Sequence, residues 1–186
     1  IDPLTIAFLK VTGNGTLSVC GLANLCAYLA AGRQRDISGN LAGCSTAADF
    51  GCSYESCPTG DITFNTQSQI ASFEQKYSHC SILQGSVYIQ GSGITDLSLL
   101  SFVQKIEGNL VIGGPGSLAT SNMTSLQGLH NVRDIGGLVS IHLNVKLQSL
   151  DGLNGLRHVG GSFSVSNNDA LQSLNSLPAL ETVGGS

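Results

Sequence analysis

At 186 residues the chain is long enough for one sizeable domain. Charged residues make up 11% of it and the formal net charge is −4, which excludes the basic footprint of a nucleic-acid-binding surface. No apolar stretch approaches the length of a membrane span and no signal peptide opens the chain; Ile1 in place of an initiator methionine leads us to expect a chain processed or excerpted from something longer.

Residues 1–56 read as the end of one repeat array. Leu9 and Val11 make a two-step apolar alternation, the pattern of a short strand with one buried face. Asn14 follows three residues after Val11, and the same offset recurs at Ile37/Asn40, Ile141/Asn144 and Val165/Asn168. An amide just past a strand can turn inward and hydrogen-bond the backbone of neighbouring repeats, so Asn14, Asn40, Asn144 and Asn168 are expected to form ladders. Between the first two strands Leu22, Leu25, Cys26 and Leu29 keep helical spacing, with Gly32 as the stop. The segment from Cys44 to Cys52 carries no leucine pattern.

Residues 57–80 read as the opening of a second array. Thr66-x-x-Gln69 is a capping-box pattern, and Ile70, Phe73 and Tyr77 follow on one helical face. Such a helix would cover the first strand region, Leu83 to Ile89, whose core leucines and strand edge are otherwise open.

From there an apolar residue returns every third position for five steps, starting at Ile94, Met123, Leu147 and Leu171. The last copy reads Leu171, Leu174, Leu177, Leu180, Val183. Each complete copy passes through Gly into a short alternation: Leu110/Ile112, Val139/Ile141, Phe163/Val165, with Val87/Ile89 earlier in the same register. The joints begin at Gln84, Glu107, Gly136, Gly160 and Gly184, at intervals of 23, 29, 24 and 24 residues. A helix alternates threes and fours and a strand steps in twos, so strict threes fit an extended or 3₁₀-like wall pointing one side chain per turn inward. One β-run per copy and a period in the twenties predict a mainly β solenoid, whose copies stack to share a core. Gly-Gly at 136–137, 160–161 and 184–185 is expected to allow the tight corner into the strand. Such a chain works by the surface it presents.

Six cysteines, at 20, 26, 44, 52, 57 and 80, lie before the leucine repeats become regular. An even count in one irregular region points to disulfides and an oxidising compartment. Zinc on Cys52, Cys57, His79 and Cys80 is the rival, but there is no CxxC and the spacing suits a tetrahedral site poorly. Two N-x-S/T sequons, Asn14-Gly15-Thr16 and Asn122-Met123-Thr124, fit secretion. Asn122, in an inserted loop, is the expected N-glycan acceptor. Asn14 occupies a ladder position, where an inward amide cannot carry a sugar.

The cysteine-flanked segments resemble a known family. Cys57-Pro-Thr-Gly-Asp-Ile-Thr, the helix, Cys80 and Leu83-x-Gly85-Ser-Val-Tyr-Ile89 look like the opening of a receptor L-domain, in the microbial and fungal cell-surface branch of that family. Cys20-Gly-Leu22 and Gly43-Cys44 with Cys52 resemble that branch's closing cap, so the halves stand in inverted order. The resemblance implies a right-handed parallel β-helix, leucine-rich-repeat-like, with short capping helices. It implies a first unit at 1–56 (the C-terminal half and closing cap of one L-domain) and a second at 57–186 (the N-terminal cap and first coils of the next). It also implies a Cys57–Cys80 disulfide stapling the capping helix to the first coil. Cys44–Cys52 is expected beside it, leaving Cys20–Cys26. Two positions six apart in one helix lie about 9 Å apart along its axis, so Cys20 must precede the helix.

Little points to chemistry. There is no GxSxG or HExxH, and no recurring acidic pair of the glycosidase kind. Among the histidines, His130 and His158 fall at variable positions expected to face solvent, and His142 follows a strand. Gly113-Gly-Pro-Gly116 lacks the GK[ST] ending of a phosphate loop and sits in the insertion that lengthens one copy. The outward positions Tyr88, Val111, Ser140 and Ser164 form no threonine array of the ice-binding kind. No enzyme, metal or cofactor is expected. The expected function is a non-enzymatic extracellular or cell-surface glycoprotein, a structural unit of a coat or fibre. Its partners would be other copies of itself or flanking L-domain repeats, met end to end through Leu171, Leu174, Leu177, Leu180 and Val183. The alternative is a recognition ectodomain binding a protein or glycan on its sheet face. Because Gly184-Gly185-Ser186 stops where a strand is due, we expect the final copy to meet another one.

Overall fold

In this computed structural model the described residues are 9–13, 35–38, 56–114 and 122–185. The chain divides into two units, Ile1–Glu55 and Ser56–Ser186. In the first, strands β1 (Leu9–Thr12) and β2 (Arg35–Ser38) pair in parallel, Leu9 beside Arg35 and Thr12 beside Ser38. Cys20, Cys26, Cys44, Cys52, Asn14, Asn40 and the helix expected over Leu22–Leu29 lie outside the described residues.

In the second unit the two-step alternations become one sheet. Its strands are β3 (Ile62–Phe64), β5 (Val87–Ile89), β7 (Leu110–Ile112), β9 (Val139–His142) and β11 (Phe163–Ser166). All are parallel, in the spatial order β11-β9-β7-β5-β3. The first and third residues of β5, β7 and β9 are buried and the second is half-buried, the two-residue period of a sheet with one face on the core. A second parallel sheet consists of β4 (Ile82–Leu83), β6 (Lys105–Ile106), β8 (Asp134–Ile135), β10 (His158–Val159) and β12 (Thr182–Val183), in the order β12-β10-β8-β6-β4.

The expected mainly β architecture, a right-handed parallel β-helix or leucine-rich-repeat-like solenoid with short capping helices, is corrected by this arrangement. The described residues of the second unit form two five-stranded parallel sheets with one α-helix, a mixed α/β-like arrangement. The sequence pattern assigned one strand to each copy. The structure has two, because the fifth apolar position of each three-residue series (Ile106, Ile135, Val159 and Val183) belongs to a two-residue strand of the second sheet. An isolated apolar residue at the end of a series of threes carries no alternation, so that strand leaves no period-2 mark.

Before that strand, the threes are a succession of turns. The N–H of Leu100 donates to the carbonyl of Leu97, and that of Val103 to Leu100. Leu129 and Val132, and Leu153 and Leu156, repeat the pattern in the next copies. Each i→i−3 bond returns the chain to the same side, burying one apolar residue per three. Among the described residues, only Ser98–Leu100 extends this into a 3₁₀ helix. Ile94, Leu97, Leu100, Val103, Met123, Leu126, Leu129, Val132, Leu147, Leu150, Leu153 and Leu156 are all buried.

Gly136–Gly137 and Gly160–Gly161 lie at the bends between successive strands, as expected, and the structure adds a second reason for glycine there. Gly136 and Gly160 are not in the left-handed region; a Cβ on Gly160 would overlap the carbonyl oxygen of Gly136, and one on Gly136 that of Glu107. Glycine is needed there for close approach between successive copies. Gly152 does need positive φ (+113°), and its Cβ would strike the carbonyl of Leu126.

Helix α1 (Gln67–Tyr77) begins with a full capping box. Thr66 Oγ1 accepts from the Gln69 N–H at 3.3 Å, and Gln69 Oε1 accepts from the N–H groups of Asn65 and Thr66 at 2.6 and 3.1 Å. Ile70 and Phe73 are its buried face. Phe73 sits edge-on to Phe64, ring centroids 5.2 Å apart, and also meets Tyr77 and Phe102. The Gln67 side chain ties the helix to the first copy, its Nε2 donating to the Asp96 carbonyl at 2.7 Å while its Oε1 accepts from the Thr95 and Asp96 N–H groups.

Candidate functional site: the open sheet edge

Strands β11 and β12 are the outer strands of their sheets, each hydrogen-bonded to a described strand on one side only. The apolar series that ends in β12 shows what this does. In the preceding copy Leu147, Leu150, Leu153 and Leu156 are 0% exposed and Val159 is 1% exposed. In the last copy Leu174 is 59% and Val183 42% exposed, and Leu171, Leu177 and Leu180 are half-buried. Phe163 and Val165 of β11 are also half-buried, whereas Val139 and Ile141 of β9 are fully buried. The sequence pattern is the same; among the described residues no strand lies beyond β11 and β12. An apolar strip beside unpaired backbone N–H and C=O groups is a template for strand addition.

Asparagine side chains lock the strands leading to this edge. Leu143 (φ 58°) and Asn167 (φ 53°) turn the chain inward after β9 and β11, placing Asn144 and Asn168 in the core. Asn168 Oδ1 accepts from the backbone N–H and from Nδ2 of Asn144, at 2.9 and 3.1 Å. Asn168 Nδ2 donates to the Ile141 carbonyl at 2.9 Å, and Asn144 Nδ2 donates to the carbonyls of Ile112 and His142. A second ladder, at the other end of the strands, was not anticipated. Asp61 Oδ1 accepts from the Ser86 N–H at 2.8 Å, Ser86 Oγ from the Asn109 N–H at 3.2 Å, and Asn109 Oδ1 from the Leu138 N–H at 2.9 Å. Its signal was available: a short polar residue stands immediately before the apolar alternation in three consecutive copies.

The remaining candidates are scattered. Cys57 and Cys80 are bonded, with Cα atoms 5.7 Å apart, and join the segment before β3 to the end of α1. His79 lies beside them, its ring nitrogen and the two sulfurs within 4.8 Å of one another, but both sulfurs are taken up in the disulfide. Ser140 Oγ is 3.1 Å from His142 Nδ1 on the outer face of β9, and His142 Nε2 is 3.3 Å from the Gly114 carbonyl. His158 Nδ1 contacts Thr182 Oγ1 at 3.0 Å, and His130 is exposed. The exposed pairs Lys105–Glu107 and Arg157–Glu181 contribute little. Half-buried Asn122 donates through Nδ2 to the Ser92 carbonyl at 2.6 Å, and Thr124 is exposed. Between β3 and α1 an open groove of about 320 Å³ is lined by Ile62, Phe64, Ser72, Phe73 and Tyr77, among others. Among the described residues, no helix is long and apolar enough to cross a membrane.

Protein-family models, curated proteins and solved structures show no match to this chain. The resemblance to receptor L-domains rests on the residue patterns alone.

Proposed function

We propose that this is a non-enzymatic, extracellular repeat protein, a structural unit of a surface coat or fibre. Its two parallel sheets would be continued at the β11/β12 edge by strands of another copy or of further repeats in a longer polypeptide. The observation that carries the reading is the exposure of Leu174 and Val183, whose counterparts Leu150 and Val159 are buried one copy earlier. Covering a large apolar side chain fully is worth about 1.5–3 kcal/mol. Exposed Leu174 and Val183, with half-buried Leu171, Leu177 and Leu180 and two strand edges beside them, therefore favour a neighbour. The Cys57–Cys80 bond and the two sequons support an oxidising, extracellular setting.

Negative-stain microscopy and sedimentation of the 186-residue chain, with and without Leu174→Asp and Leu177→Asp, test the reading. Filaments or defined oligomers that the paired substitutions disperse are the expected result. A chain that stays monomeric at high concentration, with its β12 amides protected from exchange, would overturn it in favour of a recognition module.

A further inference from the structure

We infer that Cys57, His79 and Cys80 form a zinc site once their disulfide is reduced. A ring nitrogen of His79 and the two sulfurs lie within 4.8 Å of one another; Cys57 and His79 are half-buried and Cys80 is buried. Sequence spacing hides this set, because the two cysteines stand 23 positions apart and His79 directly precedes one of them. The fold assembles it from two arms. Cys57 stands ahead of β3, whose Ile62 N–H donates to the Ser86 carbonyl at 2.8 Å. Cys80 follows α1, and its N–H donates to the Tyr77 carbonyl at 2.8 Å. The next carbonyl, that of Ser81, accepts from the Gln104 N–H at 2.8 Å. Backbone hydrogen bonds thus hold both arms in place besides the S–S bond.

Two thiolates and an imidazole are a donor set well suited to zinc. Zn–S bonds of about 2.3 Å in tetrahedral geometry put two bound sulfurs about 3.8 Å apart. The Cα atoms of Cys57 and Cys80 are 5.7 Å apart, so side-chain rotation supplies that separation once the S–S bond opens. The chemistry balances with a two-electron reductant such as a phosphine. The phosphine takes the oxygen of a water molecule and leaves two thiols; Zn²⁺ binds these as thiolates and releases two protons. Three protein ligands leave one tetrahedral position for water, which reaches the site past half-buried Cys57 and His79. The same residues therefore link the segment before β3 to the end of α1 in both redox states, covalently when oxidised and through the metal when reduced. This holds whether or not copies of the chain associate.

The test follows each cysteine by itself. The 186-residue chain is reduced with a phosphine, freed of it under argon, and alkylated with N-ethylmaleimide in the presence and absence of Zn²⁺, with peptide mapping over time. Zinc is expected to slow alkylation of both Cys57 and Cys80 at least about ten-fold. Co²⁺ in its place is expected to give thiolate charge-transfer and tetrahedral d–d absorption bands. His79→Ala, in a chain shown to form the Cys57–Cys80 disulfide before reduction, is expected to raise the zinc concentration needed for protection at least about ten-fold. Equal alkylation of Cys57 and Cys80 with and without zinc would overturn the inference. So would a His79→Ala chain protected as fully as the parent at the same zinc concentration, since the thiols would then bind the metal without the imidazole.

Discussion

Asn168 shows how much depends on single polar atoms near the edge. It is 9% exposed, and its amide satisfies the Asn144 N–H and the Ile141 carbonyl across two copies. Asn168→Ala would remove the side-chain acceptor of the Asn144 N–H and a side-chain donor to the Ile141 carbonyl in the core, which costs about 1–3 kcal/mol. Chemical denaturation should show a loss in this range, while substitution of exposed Asn154 to Ala, whose side chain serves only the local Gly152 N–H, should cost less. The spacing of Asn144 and Asn168 after their strands was legible because a ladder needs one amide per copy at a fixed offset. The Asp61–Ser86–Asn109 ladder was not read, because three different residue types perform the same acceptor role and no single letter repeats. Asn122 presents a simpler expectation. Its Nδ2 keeps one hydrogen for the Ser92 carbonyl after a sugar replaces the other, and Thr124 is open to solvent. Glycopeptide mapping of chain secreted from eukaryotic cells should find Asn122 occupied.

At the scale of the element, α1 was legible to the residue at its start. The capping box uses Thr66 and Gln69 side chains, and both reciprocal bonds are present. Thr66→Ala should cost about 1 kcal/mol and raise the hydrogen exchange of the first turn of α1 ahead of β5 and β7. Equal loss of protection in those strands would mean that the helix and sheets open together. The second strand of each copy was not legible, for a physical reason. Lys105–Ile106, Asp134–Ile135 and His158–Val159 present one buried residue apiece, and two residues cannot establish an alternation. Their strand character comes from the neighbours: the Glu107 N–H donates to the Leu83 carbonyl, Gly136 to Ile106, Gly160 to Ile135 and Gly184 to Val159. Those bonds are long-range, spaced by the copy length, and no local window contains both partners.

For the Ser56–Ser186 unit as a whole, the sequence period predicts which residues meet, but exposure depends on position in the stack. Leu150 and Leu174 make the point, being the same step of the same pattern in successive copies. Leu150 is 0% exposed and Leu174 is 59% exposed. In dilute, unassembled protein, Leu150→Ala should cost about 2–5 kcal/mol, since it leaves a cavity in a packed core. Leu174→Ala should cost less than about 1 kcal/mol there, because much of its side chain already meets water. Under conditions where the chain associates, the order should change in a specific way: Leu174→Ala should weaken assembly while the stability of the separate molecule stays nearly the same. Denaturation midpoints at low concentration and sedimentation at high concentration measure the two effects on the same samples. If both substitutions cost the same in dilute protein, Leu174 is already covered within one molecule, and the β11/β12 face is not the surface through which the sheets grow.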